Sequence, residues 1–85
     1  MGFDMVSACI LIRTRHGEFS AVVDRIKNVE GVVRVFPVLG RFDVVADLQS
    51  PDILSLGKSA LKINRMAGVV FTETLIEVQK EEKRC

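Results

Sequence analysis

Asp43 begins an apolar run just after a glycine-containing turn, Gly40-Arg41-Phe42-Asp43, inside the stretch PVLGRFDVVADLQ at 37 to 49. A carboxylate at that point can hold a ligand, end a strand or meet water. If the backbone N–H groups of residues 40 to 43 converge on an anion while the carboxylate faces a cation, the turn has the polarity of a zwitterionic amino acid. The plainer reading is an ordinary hairpin with an aspartate beside it. Asp47 follows on the same expected strand face, at about 13 Å by strand rise. That is too far for a glycosidase-style carboxylate pair or a shared proton. Pairing with Arg13, Arg34 or Arg41 across a sheet stays open for both acids, and solvent or a surface ion pair is the expectation for Asp47. Thr72 and Thr74, in FTETLIEV, share a strand face; they are either two hydroxyls directed into an interfacial cleft or simply good strand formers.

The other reactive side chains point to no chemistry. The single histidine, His16 in RTRHGE, sits at a strand end beside a glycine. It reads as a surface side chain or a general base, and no local arrangement completes a triad. Cys9 lies in an apolar strand pattern and Cys85 is the last residue, a spacing that suits neither a metal site nor a redox pair. Cys85 can cross-link in air. There is no GxGxxG, P-loop, nucleophile elbow or HExxH. No catalytic residue, metal ligand or cofactor is therefore expected.

The elements that must position these residues follow from periodicity. MVSACILIRT, 5 to 14, is a run of β-branched and apolar residues that predicts a buried strand, ended by His16-Gly17. In EFSAVVDRIKNVEG, Phe19, Val22, Val23, Ile26 and Val29 recur at helical spacing, with Gly31 as the stop. A second strand, VVRVFPVL, contains Pro37 and so predicts a strand end, an edge or a bulge. The third, FDVVADLQ, alternates Phe42, Val44, Ala46 and Leu48 on one face against Asp43, Val45, Asp47 and Gln49 on the other. SPDILSLGKSALKINRMAG predicts a second helix with Ser50 as its cap, Pro51 in its first turn and Asp52 at its positive end. Its stripe is Ile53, Leu56, Ala60 and Ile63, broadened by Leu54, Leu61 and Met66, with Gly57 either marking close packing on the sheet or simply costing helix stability. VVFTETLIEVQ is the last strand, and KEEKRC a solvated tail. The expected division is a single domain over 1 to 79 followed by a tail over 80 to 85.

Composition narrows the class of function. A chain of 85 residues has material for one core. With 48% apolar residues, 27% charged residues and a net charge of +1, it is neither disordered nor drawn to phosphate backbones. No basic run alternates with aromatics as a nucleic-acid platform requires. The start, MGFDMVSACILIRT, carries an acid where a signal peptide needs a basic leader, and no apolar run reaches membrane-spanning length. A soluble cytoplasmic protein with no membrane partner is expected.

An internal repeat sets the topology. IKNVEGVV at 26 to 33 matches INRMAGVV at 63 to 70, and each half reads strand, helix, strand. Two such units fold most economically as a ferredoxin-like βαββαβ domain of the α+β class, a four-stranded antiparallel sheet with both helices on one face. The other face carries Val, Ile, Leu and Phe, and a partner subunit is expected to cover it.

VEGVVRVFPVLGRFDVVADLQSPD, helix, then MAGVVFTETLIEV resembles the effector-binding and oligomerisation domain of the Lrp/AsnC feast/famine transcriptional regulators over residues 5 to 79. The motifs are VEGV after the first helix, the GRFDVVA hairpin and GVVFTETLI in the last strand. The resemblance implies dimers of the dimeric α/β-barrel type, with packed sheets, that assemble into octameric or decameric rings. It implies an amino-acid pocket between dimers, formed by Gly40, Arg41, Phe42 and Asp43 with Thr72 and Thr74. Phe42 stands where the family often has tyrosine, so a contact through that hydroxyl is lost. Only MGFD precedes the first strand, where the regulators carry a helix-turn-helix domain. The implied role is non-enzymatic: sensing an amino acid or co-assembling with full-length regulators, without direct DNA binding. A small dimeric α/β-barrel monooxygenase or isomerase shares the topology. An ACT-like regulatory module or a purely structural ring subunit would also fit the sequence.

Overall fold

The computed structural model describes residues 5–78. Its elements run β1 (Val6–Thr14), α1 (Phe19–Ile26), β2 (Val32–Pro37), β3 (Val44–Ser50), α2 (Ile53–Asn64) and β4 (Val69–Ile76). The strands form one antiparallel sheet in the order β2-β3-β1-β4, with both helices packed on it. This is the ferredoxin-like βαββαβ fold expected from the repeat. Among the described residues, no helix is long and apolar enough to cross a membrane. The tail over 80 to 85, with Cys85, lies outside the described residues.

Alternation along β1 and β3 makes one dry face. Ala8, Ile10 and Ile12 of β1 and Val44, Ala46 and Leu48 of β3 are buried, and they meet Val22 and Ile26 of α1 and Leu56 and Ile63 of α2. Each such large side chain contributes about 1.5–3 kcal/mol by leaving water. Helix α1 is shorter than its apolar pattern. It stops at Ile26, and Val29 enters the core from the turn that follows. Gly31 does not stop the helix; at φ +93° it turns the chain into β2, where a Cβ would stand 3.0 Å from the backbone oxygen of Gln49. Its repeat equivalent, Gly68, has φ +91°.

Three local expectations at α2 are corrected. The cap is Asp52, whose carboxylate accepts the Ser55 N–H at 2.8 Å, while Ser50 is the buried end of β3. That hydrogen bond holds the Asp52 carboxyl below its ordinary range. Nothing lies within 4 Å of a Cβ built on Gly57, so this glycine does not mark close packing. Ile53, Leu54 and Leu61 face outward, and the buried stripe is Leu56, Ser59 and Ile63. Ser59 tolerates burial because its hydroxyl donates to the Glu30 carbonyl at 2.6 Å.

Candidate functional site

The turn between β2 and β3 is held from two sides. At its base, the Val38 N–H donates to the Asp43 carbonyl and the Asp43 N–H donates to the Ile12 carbonyl, each at 2.8 Å. From the helix-free face, Arg13 donates to the Arg41 carbonyl through Nε at 3.2 Å and Nη2 at 2.8 Å. Its guanidinium also lies 5.9 Å from the centre of the Phe42 ring, which stacks on Phe71 at 6.4 Å. Gly40 takes φ +144°, which a side chain rarely adopts. Arg13 thus has a positioning role that its charge alone did not disclose.

Asp43 stands immediately before β3 and borders a cavity. Its Oδ2 accepts the Thr14 backbone N–H at 2.8 Å and lies 3.4 Å from the Thr14 hydroxyl. The carboxylate occupies the place of a ladder partner where β1 runs past the start of β3, next to the irregularity in β1–β4 pairing at Arg13 and Thr14. Strand β3 starts at Val44, so Phe42 does not continue the Val44, Ala46 and Leu48 face as expected; its ring lies against Phe71 on the helix-free side. For the same reason Asp43 and Asp47 are not successive members of one strand face.

Beside Asp43 opens a cleft of about 720 Å³, bounded by Thr14 to Gly17, Phe19, Pro37 to Leu39 and Asp43. It brings the strand-end histidine, His16, to the same space as Asp43. Phe19, expected in the core, is half exposed and forms part of the cleft wall. Thr72 and Thr74 lie elsewhere. They pair with Ile12 and Ile10, which places them on the helix-covered side of β4, and the Thr72 hydroxyl donates to Asn64 Oδ1 at 2.9 Å. Neither lines the cleft. Of the candidate site residues only Asp43 lines the cleft; Thr14, Arg15, Phe19 and Pro37 to Leu39 were missed from sequence, Thr14 because inside a strand pattern it reads as a propensity residue.

The remaining candidates are accounted for locally. Among the described residues, the ion pair is Lys27 with Asp24 at 3.6 Å, so neither Asp43 nor Asp47 is paired with arginine. Asp47 instead neighbours Cys9; burial first, and then the Asp47 carboxylate, push the Cys9 thiol up. Arg34 lies 4.4 Å from the centre of the Phe36 ring. Among the described residues, no group of three or more His, Cys, Asp or Glu is placed to hold a metal ion.

Known proteins give this geometry a context. The profile of the family described as Lrp/AsnC ligand binding domain matches residues 7–84. The crystal structure of TTHA0845 from Thermus thermophilus is similar at 29% identity and TM-score 0.83, over 92% of this chain and 99% of that one. The hypothetical protein PHS023 from Pyrococcus horikoshii shares the fold at 24% identity and TM-score 0.80, over 88% and 92%. Escherichia coli AsnC shares it at 21% identity and TM-score 0.81; 99% of this chain corresponds to 57% of that one. No curated protein matches the sequence.

Proposed function

We propose that this chain, which belongs to the Lrp/AsnC ligand-binding domain family, is a non-catalytic sensor that binds an amino acid or related small molecule at the Asp43 cleft and converts occupancy into a change of assembly. The observation that carries the proposal is that one open cleft gathers a carboxylate, two basic-capable side chains and an apolar wall. Asp43 uses Oδ2 for Thr14, and no described residue donates to Oδ1, which leaves an acceptor for an ammonium group. Arg15 and His16 border the same space and suit a carboxylate, while Phe19, Pro37 and Leu39 suit an apolar side chain.

Two features favour a site completed by neighbours. Leu39, at the cleft rim, is fully exposed, as an apolar side chain is before a second subunit covers it. The helix-free face of the sheet carries Leu11, Val45, Phe71 and Leu75, which favours a dimer formed through that face. Dimers meeting at the clefts would close an octameric or decameric ring. A ligand that fits the completed cleft better than the open one shifts the equilibrium by that difference in affinity. The same surfaces would let the chain co-assemble with full-length regulators in the cytoplasm, without contacting DNA itself.

Calorimetric titration with each of the twenty amino acids tests the site. Asp43→Asn keeps an acceptor for the Thr14 N–H and removes the charge, so it should fold normally and weaken binding at least about tenfold. An unchanged affinity would remove Asp43 from the site.

A further inference from the structure

The helix-free face has an uneven distribution of charge that bears on how two copies meet. Antiparallel register sets Phe36, Val45, Leu11 and Glu73 in one row across the sheet, and Arg34, Asp47, Cys9 and Leu75 in the next. Ser7 follows Cys9's row, with the Glu77 N–H donating to its carbonyl at 2.9 Å. The β2 edge is therefore basic, through Arg34, and the β4 edge is acidic, through Glu73 and Glu77. Stacking on Phe36 holds the Arg34 guanidinium over the face instead of off its edge.

Two identical faces can pack about a two-fold axis in two ways. With the axis across the strands, β4 lies over the partner's β4, Glu73 approaches the partner's Glu73 and Arg34 approaches the partner's Arg34. With the axis along the strands, β4 lies over the partner's β2 and each row meets itself reversed. Arg34 then comes opposite the partner's Leu75, with the partner's Glu73 and the partner's Glu77 about 7 Å to either side along the strand. Packed sheets lie about 10 Å apart and cross at about 30°, which moves an edge strand about 4 Å along its partner, toward one of the two glutamates. Leu11 meets the partner's Val45 in the middle, and Asp47 meets the partner's Cys9. The first arrangement opposes like charges at both edges; the second pairs them.

We propose that two copies pack face to face with the two-fold axis along the strands, so that Arg34 of each is bracketed by the partner's Glu73 and the partner's Glu77. The proposal rests on the dimer in the functional reading above and adds its orientation and the residues that select it.

The test is a charge exchange read by light scattering and native mass spectrometry, with circular dichroism to confirm that each variant folds. Arg34→Glu alone and the double variant Glu73→Arg, Glu77→Arg alone should each dimerise at least about tenfold more weakly than the unmodified chain. Mixed in equal amounts, they should recover the dimer with one chain of each kind. If Arg34→Glu pairs with the unmodified chain more tightly than the unmodified chain pairs with itself, the axis runs across the strands, where residue 34 meets residue 34, and the proposal is overturned. Dimers indifferent to all three changes overturn it as well, leaving the dimer itself standing. An unmodified chain that stays monomeric at high concentration overturns both the orientation and the dimer.

Discussion

Neighbouring residues of β1 inhabit opposite worlds. Ile10 and Ile12 are 0% exposed beneath the helices, whereas Leu11 and Arg13, one position away, face the other side. The covered side makes the fold: it is aliphatic, continuous from strand to helix, and closed by turns. The other side has an apolar centre, charged edges and Arg13 bracing the turn that leads to Asp43, and it is the face that meets a second copy in the proposed dimer. The pleat of one sheet thus separates the core from the face of the proposed dimer.

Paired truncations break that comparison most forcefully. Ile12→Ala should cost about 2–5 kcal/mol in urea unfolding at every protein concentration. Leu11→Ala should instead show a deficit that shrinks on dilution, because what it loses is a contact with a second copy. Equal, concentration-independent losses would mean that both sides serve the monomer alike.

The glycines sharpen the contrast at a smaller scale. Gly68 turns the chain from α2 into β4 at φ +91°, and a Cβ there would lie 2.8 Å from Glu18 Oε1 and 2.9 Å from Val22 Cγ2. Gly68→Ala should destabilise by about 1–3 kcal/mol, as strain reaches the covered side through its turn. Gly57 has open space around it on the outer surface of α2. Gly57→Ala should stabilise by about 0.5–1 kcal/mol through helix propensity. A loss of stability there would mean that the outer helix surface is also occupied in solution.

The smallest effect concerns the start of α2. The Asp52 carboxyl is lowered in the folded chain, chiefly by the Ser55 N–H, so its ionised form favours folding. That contribution is fully present above the ordinary aspartate value of about 3.9 and is lost as pH falls through the lowered one. The acid side of the melting-temperature profile should be flatter in Asp52→Asn, which keeps a neutral acceptor, than in the unmodified protein. Parallel profiles would place the acid sensitivity elsewhere.

The topology was legible because the two halves repeat both their apolar spacing and their turn glycine: Ile26 and Ile63 are buried equivalents, and Gly31 and Gly68 share a positive φ. Asp43 was legible as a residue with a task. Its surroundings were less so, because a shift of strand start from 42 to 44 frees Phe42 to reach the other face. Ser50 and Asp52 both carry a cap oxygen around Pro51, and only the burial of β3's last residue decides between them. The parity of Thr72 and Thr74 depends on their pairing with β1, which periodicity within β4 does not contain. Arg13 was legible only as a possible ion-pair partner, because the group it holds, the Arg41 carbonyl, is a backbone atom 28 residues away.

The most direct test of the sensor is the solution mass under reducing conditions, measured by light scattering with and without each of the twenty amino acids. At least one amino acid should move the protein between a dimer and a larger closed assembly. A mass that is the same in the presence of every one of them would contradict the sensor role.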